Sequence, residues 1–290
     1  MKKFVIYISI MLSLIFVVGC DYLVFFPQTT TSVISTVPTK VNGTITFEDS
    51  NYPNLPEYES ETYSLKNIHE YNEILLSTKS LIRHANIQII ATLYESRFPF
   101  PWSSEPEEYL IGSSSGSGFI FLEDEEFYYA LTNYHVISND GYIAKYEIKT
   151  FGETEYRLAE LVAFSEEYDL AVIKFTKENS ENIEVLDIYP RLYYRFNIGE
   201  IVLAVGNPGS LTNNVTFGAF QSMQSLDDVS FKVIYHDASI ARGSSGGALV
   251  DIDGNLIGVN TWGLQNSDEF SFAIPNYIVY TFLINSGVLE

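Results

Sequence analysis

The sequence predicts an all-β fold of closed barrels or a β-sandwich, and the spacing of its strands is the main reason. From about residue 87 onward, short runs rich in β-branched and aromatic residues alternate with turn signals. No helical segment separates these runs at regular intervals, which disfavours a doubly wound α/β fold. The runs are Ile87–Tyr94, Gly118–Leu122, Phe127–Thr132, Tyr142–Thr150, Leu170–Phe175, Ile201–Val205, Phe231–Tyr235, Ala248–Asp251, Leu256–Thr261 and Phe270–Ala273.

One turn between these runs has a specific predicted geometry. Asp253-Gly254 separates LVDI from NLIGV. An Asp-Gly pair between two β-type runs favours a type I′ hairpin turn, with positive φ at both central residues.

The N-terminus, MKKFVIYISIMLSLIFVVGC, has the layout of a secretory signal peptide over residues 1–19. Its apolar run is short for a bilayer span of about 20 residues, although an uncleaved anchor remains an alternative. The ending VVGC resembles the lipobox of bacterial lipoproteins, which implies that Cys20 is lipidated. We therefore expect a protein anchored to a bacterial membrane by lipid, on the extracytoplasmic side.

Two segments precede the strands. Residues 20–58 are rich in Thr, Ser and Pro without an apolar period, which predicts a flexible tether. Residues 59–84 are expected to form a helical lead-in, because apolar residues recur at helical spacing from about Glu61 to Ile82.

Composition excludes several classes of function. The formal net charge is −21, with 37 acidic and 16 basic residues. The resulting field repels phosphate backbones, so we expect no nucleic-acid partner. Cys20 is the only cysteine, so disulfides and cysteine-based metal sites are excluded elsewhere.

The stretch ARGSSGGALVDIDG contains two adjacent serines among glycines. It formally matches the G-x-S-x-G elbow of α/β-hydrolases, in which the catalytic histidine follows the serine. The sequence excludes that elbow, because all its histidines precede Ser245. They are His69, His84, His135 and His236.

The opposite order, histidine then aspartate then serine, is present. His135 follows a β-type run in LTNYHVIS, and Asp169 begins an apolar run in EEYDLAVIKF. A carboxylate at a strand edge can orient an imidazole that activates a serine such as Ser245. His236 and Asp237 are rejected as such a pair, because neighbours on a strand face opposite sides.

Seven pieces of the sequence resemble trypsin-like serine proteases, and the HtrA/Deg protease domain most of all. They are GSGFIF, TNYHVI, YDLAVIKF, VLAVGNPG, DASIARGSSGGAL, DGNLIGVNTWG and FSFAIP, and they occur in the order typical of that family. The resemblance implies two six-stranded antiparallel β-barrels within a protease domain at residues 59–290.

The resemblance also implies roles for individual residues. His135 would be the general base, Asp169 would orient it, and Ser245 would be the nucleophile that forms an acyl-enzyme. The backbone N–H groups of Gly243, Ser244 and Ser245 would form the oxyanion hole. Such an enzyme needs neither a metal nor an organic cofactor.

The substrate pocket is implied in the same way. Thr261, Trp262 and Gly263 resemble the segment that lines the primary pocket and pairs with the substrate backbone. Ser239 and Ile240 would lie near the pocket floor, with no carboxylate to attract Lys or Arg. We therefore expect protein or peptide substrates with a small or medium apolar residue before the scissile bond.

The sequence departs from the family that it resembles at two points. Ser244 stands where trypsin has Asp and HtrA-type enzymes usually have Asn, so we expect no trypsin-like zymogen activation. About fifteen residues follow Pro275, so we expect no PDZ domain after the protease.

The sequence leaves three alternatives open: a catalytically degenerate lipoprotein that acts in binding or adhesion, an esterase that uses the same triad, and an oligomer.

Overall fold

The computed structural model describes residues 39–40, 49–60, 62, 68–178, 182–209, 211–263 and 271–289. The predicted signal peptide at residues 1–19 and the predicted lipidation site Cys20 lie outside these residues.

The first barrel consists of six antiparallel strands, numbered here from β2. A strand of two residues, β1 (Thr39–Lys40), pairs in parallel with Ala163 and Phe164 near the end of β6 (Arg157–Ser165). The barrel order is β6-β5-β2-β3-β4-β7, and pairing of β6 with β7 closes it. The strands are β2 (Asn86–Arg97), β3 (Glu107–Glu123), β4 (Phe127–Thr132), β5 (Ile143–Thr150), β6 (Arg157–Ser165) and β7 (Leu170–Thr176).

The second barrel also closes, in the order β10-β13-β12-β11-β8-β9. Its short strands β8 and β11 are buried along almost their whole length, which explains their continuous apolar sequences. The prediction of two six-stranded barrels is therefore confirmed. The strands are β8 (Ile201–Gly206), β9 (Asn214–Ser225), β10 (Lys232–His236), β11 (Ala248–Asp251), β12 (Leu256–Gly263) and β13 (Ser271–Pro275).

The sequence patterns missed strands β6 and β9 and the outer half of β3. In β9, polar residues and Gly218 interrupt the apolar pattern, and most side chains are only half-buried. The strand is held by backbone pairing with β8 and β10 along its length. Partner strands therefore supply an order that its own residues do not indicate.

The turn between β11 and β12 is not the predicted type I′ turn. Gly254 has a φ of +88°, but Asp253 is not among the residues with positive φ. The Asp251 carboxylate explains the difference, because it accepts hydrogen bonds from the backbone N–H groups of Asp253 (3.0 Å) and Asn255 (2.9 Å). These bonds stabilise a longer loop in which only the glycine is left-handed.

Three α-helices accompany the barrels in the described residues: α1 (Ile68–Ala85), α2 (Tyr134–Ile137) and α3 (Asn276–Asn285). Helix α1 lies largely within the region predicted as a helical lead-in (residues 59–84), but it begins at Ile68, after the non-helical residues 59 and 60, and it ends at Ala85, where β2 begins. Ile82 and Ala85 are fully buried on its inner face. No helix in the described part of the chain is both long and apolar enough to cross a membrane.

Part of the predicted tether is packed on the second barrel. Residues Asp49–Asn54 form a 3-10 helix, and the Tyr52 hydroxyl accepts a hydrogen bond from the Phe196 backbone N–H at 2.7 Å. The Tyr58 ring lies over the Arg191 guanidinium, 4.3 Å from ring centroid to carbon. The prediction of a flexible tether up to residue 58 therefore needs correction at its C-terminal end.

A buried ion cluster lies beneath this packed segment. Arg191 is fully buried and forms ion pairs with Glu200 and with Asp251, the latter at 2.8 Å. A buried charge without a partner is strongly destabilising, so these pairs hold the segment before β8 against β11.

His236, at the end of β10, is fully buried. Burial disfavours the charged imidazolium and lowers the pKa of His236 from 6.5 to about 4. The residue therefore folds in its neutral form, which agrees with its rejection as a catalytic base.

We expect His236 to reduce stability in acid. The pKa of His236 is lower in the folded state than in the unfolded state. Its contribution to the free energy of unfolding is therefore intact above pH 6.5 and is lost as the pH falls to about 4. At about 1.4 kcal/mol per pH unit, the loss reaches about 3 kcal/mol. Urea unfolding of wild type and His236→Phe at pH 7 and pH 4.5 measures it, with His69→Gln, an exposed histidine, as control. A parallel pH dependence in wild type and His236→Phe would contradict the assignment.

Candidate active site

His135 and Asp169 are joined by three hydrogen bonds. The imidazole Nδ1 lies 2.8 Å from Oδ2 and 3.1 Å from Oδ1 of Asp169. The backbone N–H of His135 also donates to Oδ1 at 2.9 Å. Because Nδ1 donates to the carboxylate, the proton resides there and Nε2 is left as the free base. The imidazole is 47 % exposed and the carboxylate 15 %, so the imidazole is accessible to solvent and the carboxylate is shielded.

The backbone at Asp169 is left-handed, with a φ of +51°. This conformation costs a residue other than glycine about 1 kcal/mol, so neighbouring contacts must hold it. The side chain of Asn133 donates to the Asp169 carbonyl at 2.9 Å, and the Asp169 N–H donates to Glu166 at 3.3 Å. Asn133 lies two residues before His135 in the TNYHVI motif, but the sequence did not indicate this contact.

Thr261, at the β12 bulge, links Asp169 to Ser245. Its hydroxyl donates to Asp169 Oδ2 at 3.0 Å, and its carbonyl accepts the Ser245 hydroxyl at 3.0 Å. The structure thus brings the predicted residues together around Thr261. In this conformation the serine hydroxyl donates to the backbone and not to His135.

The loop that carries Ser245 connects β10 to β11 and requires glycine at two positions. Gly243 and Gly246 have φ values of +103° and +87°. A methyl group at Gly246 would lie 2.1 Å from the carbonyl oxygen of Ser117. Larger residues therefore cannot occupy this turn without moving the neighbouring barrel.

The peptide group before Gly243 has a fixed orientation. The carbonyl of Arg242 accepts the backbone N–H of Gly209 at 3.2 Å. In a trans peptide the N–H points opposite to the carbonyl, so the Gly243 N–H faces away from Gly209. It donates to no acceptor among the described residues.

The peptide group before Ser245 is held in the same way, because the Ser244 carbonyl accepts the Gly247 N–H at 3.0 Å. The Ser245 N–H also has no acceptor in the described part of the chain. The Ser244 N–H is different, since it donates to the Ala241 carbonyl at 2.8 Å. The prediction that the Ser244 N–H contributes to the oxyanion hole is therefore wrong. The N–H groups of Gly243 and Ser245 remain the predicted donors.

Comparison with known proteins agrees with this geometry. Residues 116–259 match the family described as trypsin-like peptidase domain. Serine protease HTR4 of Rattus norvegicus is 36% identical over 179 residues, which cover 60% of this chain and 34% of that protein. Serine protease HTRA1 of Xenopus tropicalis is 34% identical over 186 residues, 61% of this chain and 37% of that protein.

Two solved structures are similar over more of the chain. The HtrA-type protease AlgW with decapeptide has a TM-score of 0.55 and 27% identity, covering 72% of this chain and 67% of that one. The serine endoprotease from Yersinia pestis has a TM-score of 0.53 and 26% identity, covering 74% and 66%. The two barrels form a trypsin-like peptidase domain of the HtrA type. The chain spans about a third of the length of the curated relatives that it matches.

The two barrels of this HtrA-type domain meet at Ser117, which is fully buried in β3. Its N–H donates to the Ser245 carbonyl at 2.8 Å, and its hydroxyl donates to the Gly243 carbonyl at 2.6 Å. The same hydroxyl accepts the backbone N–H of Asn207 at 2.8 Å. A side chain of the first barrel thus fixes the serine loop of the second.

The predicted pocket residues lie on the second barrel. The Ser239 carbonyl accepts the Thr216 hydroxyl at 2.8 Å, and Ile240 is half-buried against the apolar core of that barrel. Trp262 and Gly263 complete β12, which pairs with β13 as far as Gly263.

Beyond Asn260, whose backbone bonds Gly246 and Gly247, no described strand covers the other edge of β12. Its pairing with β11 ends at Val259, four residues before the end of β12 at Gly263. No described strand pairs with this edge beyond Val259. Among the described residues, no group of three or more His, Cys, Asp or Glu is placed to hold a metal ion.

Replacement of Ser117 by Ala should weaken the junction between the barrels. It leaves a buried carbonyl and a buried N–H without a partner, so we expect a loss of about 3 kcal/mol in the free energy of unfolding. Ser115→Ala, at an exposed position on the same strand, should change it by less than about 0.5 kcal/mol. Urea denaturation measures both variants. Equal stabilities would show that the Ser117 hydroxyl does not support the serine loop.

Proposed function

We propose that this HtrA-type domain is a serine endopeptidase with His135, Asp169 and Ser245 as its triad. The observation that carries the proposal is the His135–Asp169 pair, linked through Thr261 to Ser245. The serine loop supports it, because the N–H groups of Gly243 and Ser245 have no acceptor among the described residues.

The reaction begins when the Ser245 hydroxyl turns from the Thr261 carbonyl to Nε2 of His135. His135 takes the hydroxyl proton as Oγ attacks the scissile carbonyl, and the imidazolium is stabilised by Asp169. The N–H groups of Gly243 and Ser245 stabilise the oxyanion. His135 then protonates the leaving amine, and water hydrolyses the acyl-enzyme by the reverse proton path.

Peptides are the substrates that this cleft fits. The open edge of β12 at Thr261, Trp262 and Gly263 can pair with an extended chain. AlgW, a structural relative, was solved with a decapeptide. The predicted pocket residues Ser239 and Ile240 carry no charge, so the residue before the cut should be small or medium and apolar.

Ser245→Ala should abolish proteolysis, whereas Ser244→Ala should not. Loss of the nucleophile is expected to lower kcat by about 10⁴-fold or more. The Ser244 hydroxyl only accepts a long 3.4 Å bond from the Ala241 N–H, so its loss should change the rate by less than about tenfold. A casein digest of wild type and both variants measures the rates, and mass spectrometry of the products identifies the residue before each cut.

Equal loss in both variants would contradict the assignment of Ser245, and strict cleavage after Lys or Arg would contradict the apolar pocket. The degenerate binding lipoprotein remains the second candidate, because the Ser245 hydroxyl donates to Thr261 and not to His135. A fluorophosphonate probe distinguishes the two, since a folded but inactive domain leaves Ser245 unlabelled. Ester hydrolysis without peptide hydrolysis would favour an esterase.

We also propose that Cys20 is lipidated and holds the domain on the extracytoplasmic side of a bacterial membrane. Support comes from the sequence alone, in the apolar run that ends in VVGC. Several acyl chains on one cysteine would anchor the protein firmly, at about 0.8 kcal/mol per buried methylene.

Cys20→Ala should remove the acyl group from the protein produced in bacteria. We expect wild type and Ser245→Ala to incorporate an alkyne-labelled fatty acid and to sediment with membranes, and Cys20→Ala to do neither. A Cys20→Ala protein that stays in membranes would favour the uncleaved anchor. Wild type without label would contradict lipidation.

A further inference from the structure

A cavity of about 500 Å³ opens beside His135, on the first-barrel side of the candidate active site. It is large enough for a long side chain. Because it borders the His135 imidazole, a substrate bound for cleavage at Ser245 lies within reach of it. Its lining residues are Tyr134, His135, Ser138, Asp140, Glu166 and Asp169.

One wall of the cavity is a fixed aromatic ring. Tyr134 stacks on Phe164 with ring centroids 4.8 Å apart and an interplanar angle of 11°. A tyrosine ring attracts ammonium and guanidinium groups through its quadrupole. The wall is therefore suited to the stem and the charge of a basic side chain.

The other walls carry a negative charge. The oxygens of Asp169 accept hydrogen bonds from His135 and Thr261 and belong to the catalytic arrangement. Asp140 and Glu166 add two exposed carboxylates, and neither Lys nor Arg is among the described residues that line the cavity. The net charge of −21 strengthens the attraction for a cation.

We propose that this cavity is a substrate subsite for a lysine or arginine side chain. The cationic head lies between Asp140 and Glu166, and the apolar stem lies along Tyr134. The inference rests on the proposed peptidase function and extends it to a second position of the substrate. It differs from the primary pocket, where Ser239 and Ile240 present no carboxylate. The preferred peptide therefore has an apolar residue before the cut and a basic residue nearby.

Matched peptides test the subsite. Each quenched fluorogenic peptide has one apolar cleavage site. The peptides of a pair differ at one position, which holds Lys in one peptide and Gln in the other. Three positions on either side of the cut are tested in this way. At one position we expect Lys to raise kcat/KM about tenfold over Gln, from ion pairing and the ring contact together. The ratio should fall towards one in 0.5 M salt, because exposed charges are screened.

The double variant Asp140→Asn/Glu166→Gln should lower the Lys-to-Gln ratio to about one. The matched control is Asp227→Asn/Asp228→Asn, which removes the same charge in the β9–β10 turn and should keep the tenfold ratio. A ratio near one at every position in active wild type would overturn the subsite. A tenfold ratio that survives in Asp140→Asn/Glu166→Gln would overturn it too.

A binding measurement separates failure of the subsite from failure of the proposed function. Ser245→Ala protein is titrated with the same Lys and Gln peptides, and fluorescence anisotropy gives both dissociation constants. We expect about tenfold tighter binding of the Lys peptide, lost when Asp140→Asn/Glu166→Gln is added. Such binding without cleavage by wild type would contradict the proposed peptidase function and support the cationic subsite. Equal binding of the two peptides would reject the subsite.

Discussion

The hydrogen bonds of Ser117 to the serine loop are the constraint on which the rest of the site depends. One residue of the first barrel bonds the carbonyls of Gly243 and Ser245 in the second. Ser117 and Gly243 are buried, so moving the barrels apart would leave polar atoms without partners. The position of Ser245 relative to His135 is thus fixed by the interface between the barrels, not by the loop alone.

The same interface explains how three distant segments form one site. His135 comes from the single turn of α2, Asp169 from the turn before β7, and Thr261 from the bulge of β12. Asp169 adopts its left-handed backbone because Asn133 bonds its carbonyl, and it presents its carboxylate to His135 and Thr261. Strain at one residue is therefore balanced by contacts from both barrels.

The sequence could predict a strand where the strand's own residues carry the pattern. Strands such as β7 and β8 were predictable because they are buried on both faces and read as continuous apolar runs. Strand β9 was not, because its order comes from the strands beside it. The motifs indicated His135, Asp169 and Ser245 by type and order, and the first two are directly hydrogen-bonded.

Local sequence patterns could not predict contacts between residues that are far apart in the sequence. The Ser117 hydroxyl meets Gly243 across 126 positions, and no local pattern distinguishes it from the exposed serines before it. The predicted oxyanion-hole role of Ser244 was wrong for a local reason, because its N–H donates to the Ala241 carbonyl within a turn. A motif gives residue types at a spacing, but the direction of each peptide group depends on what its carbonyl bonds.

The packed N-terminal segment changes how the proposed anchor would act on the domain. Tyr52 and Tyr58 pack on the second barrel, and Thr39 pairs with β6 of the first. The first described residue after Cys20, Thr39, therefore already pairs with the domain. Nineteen residues span at most about 65 Å, whereas a tether to residue 58 would span about twice that. If Cys20 is lipidated as proposed, covalent geometry alone keeps Thr39 within about 65 Å of the lipid.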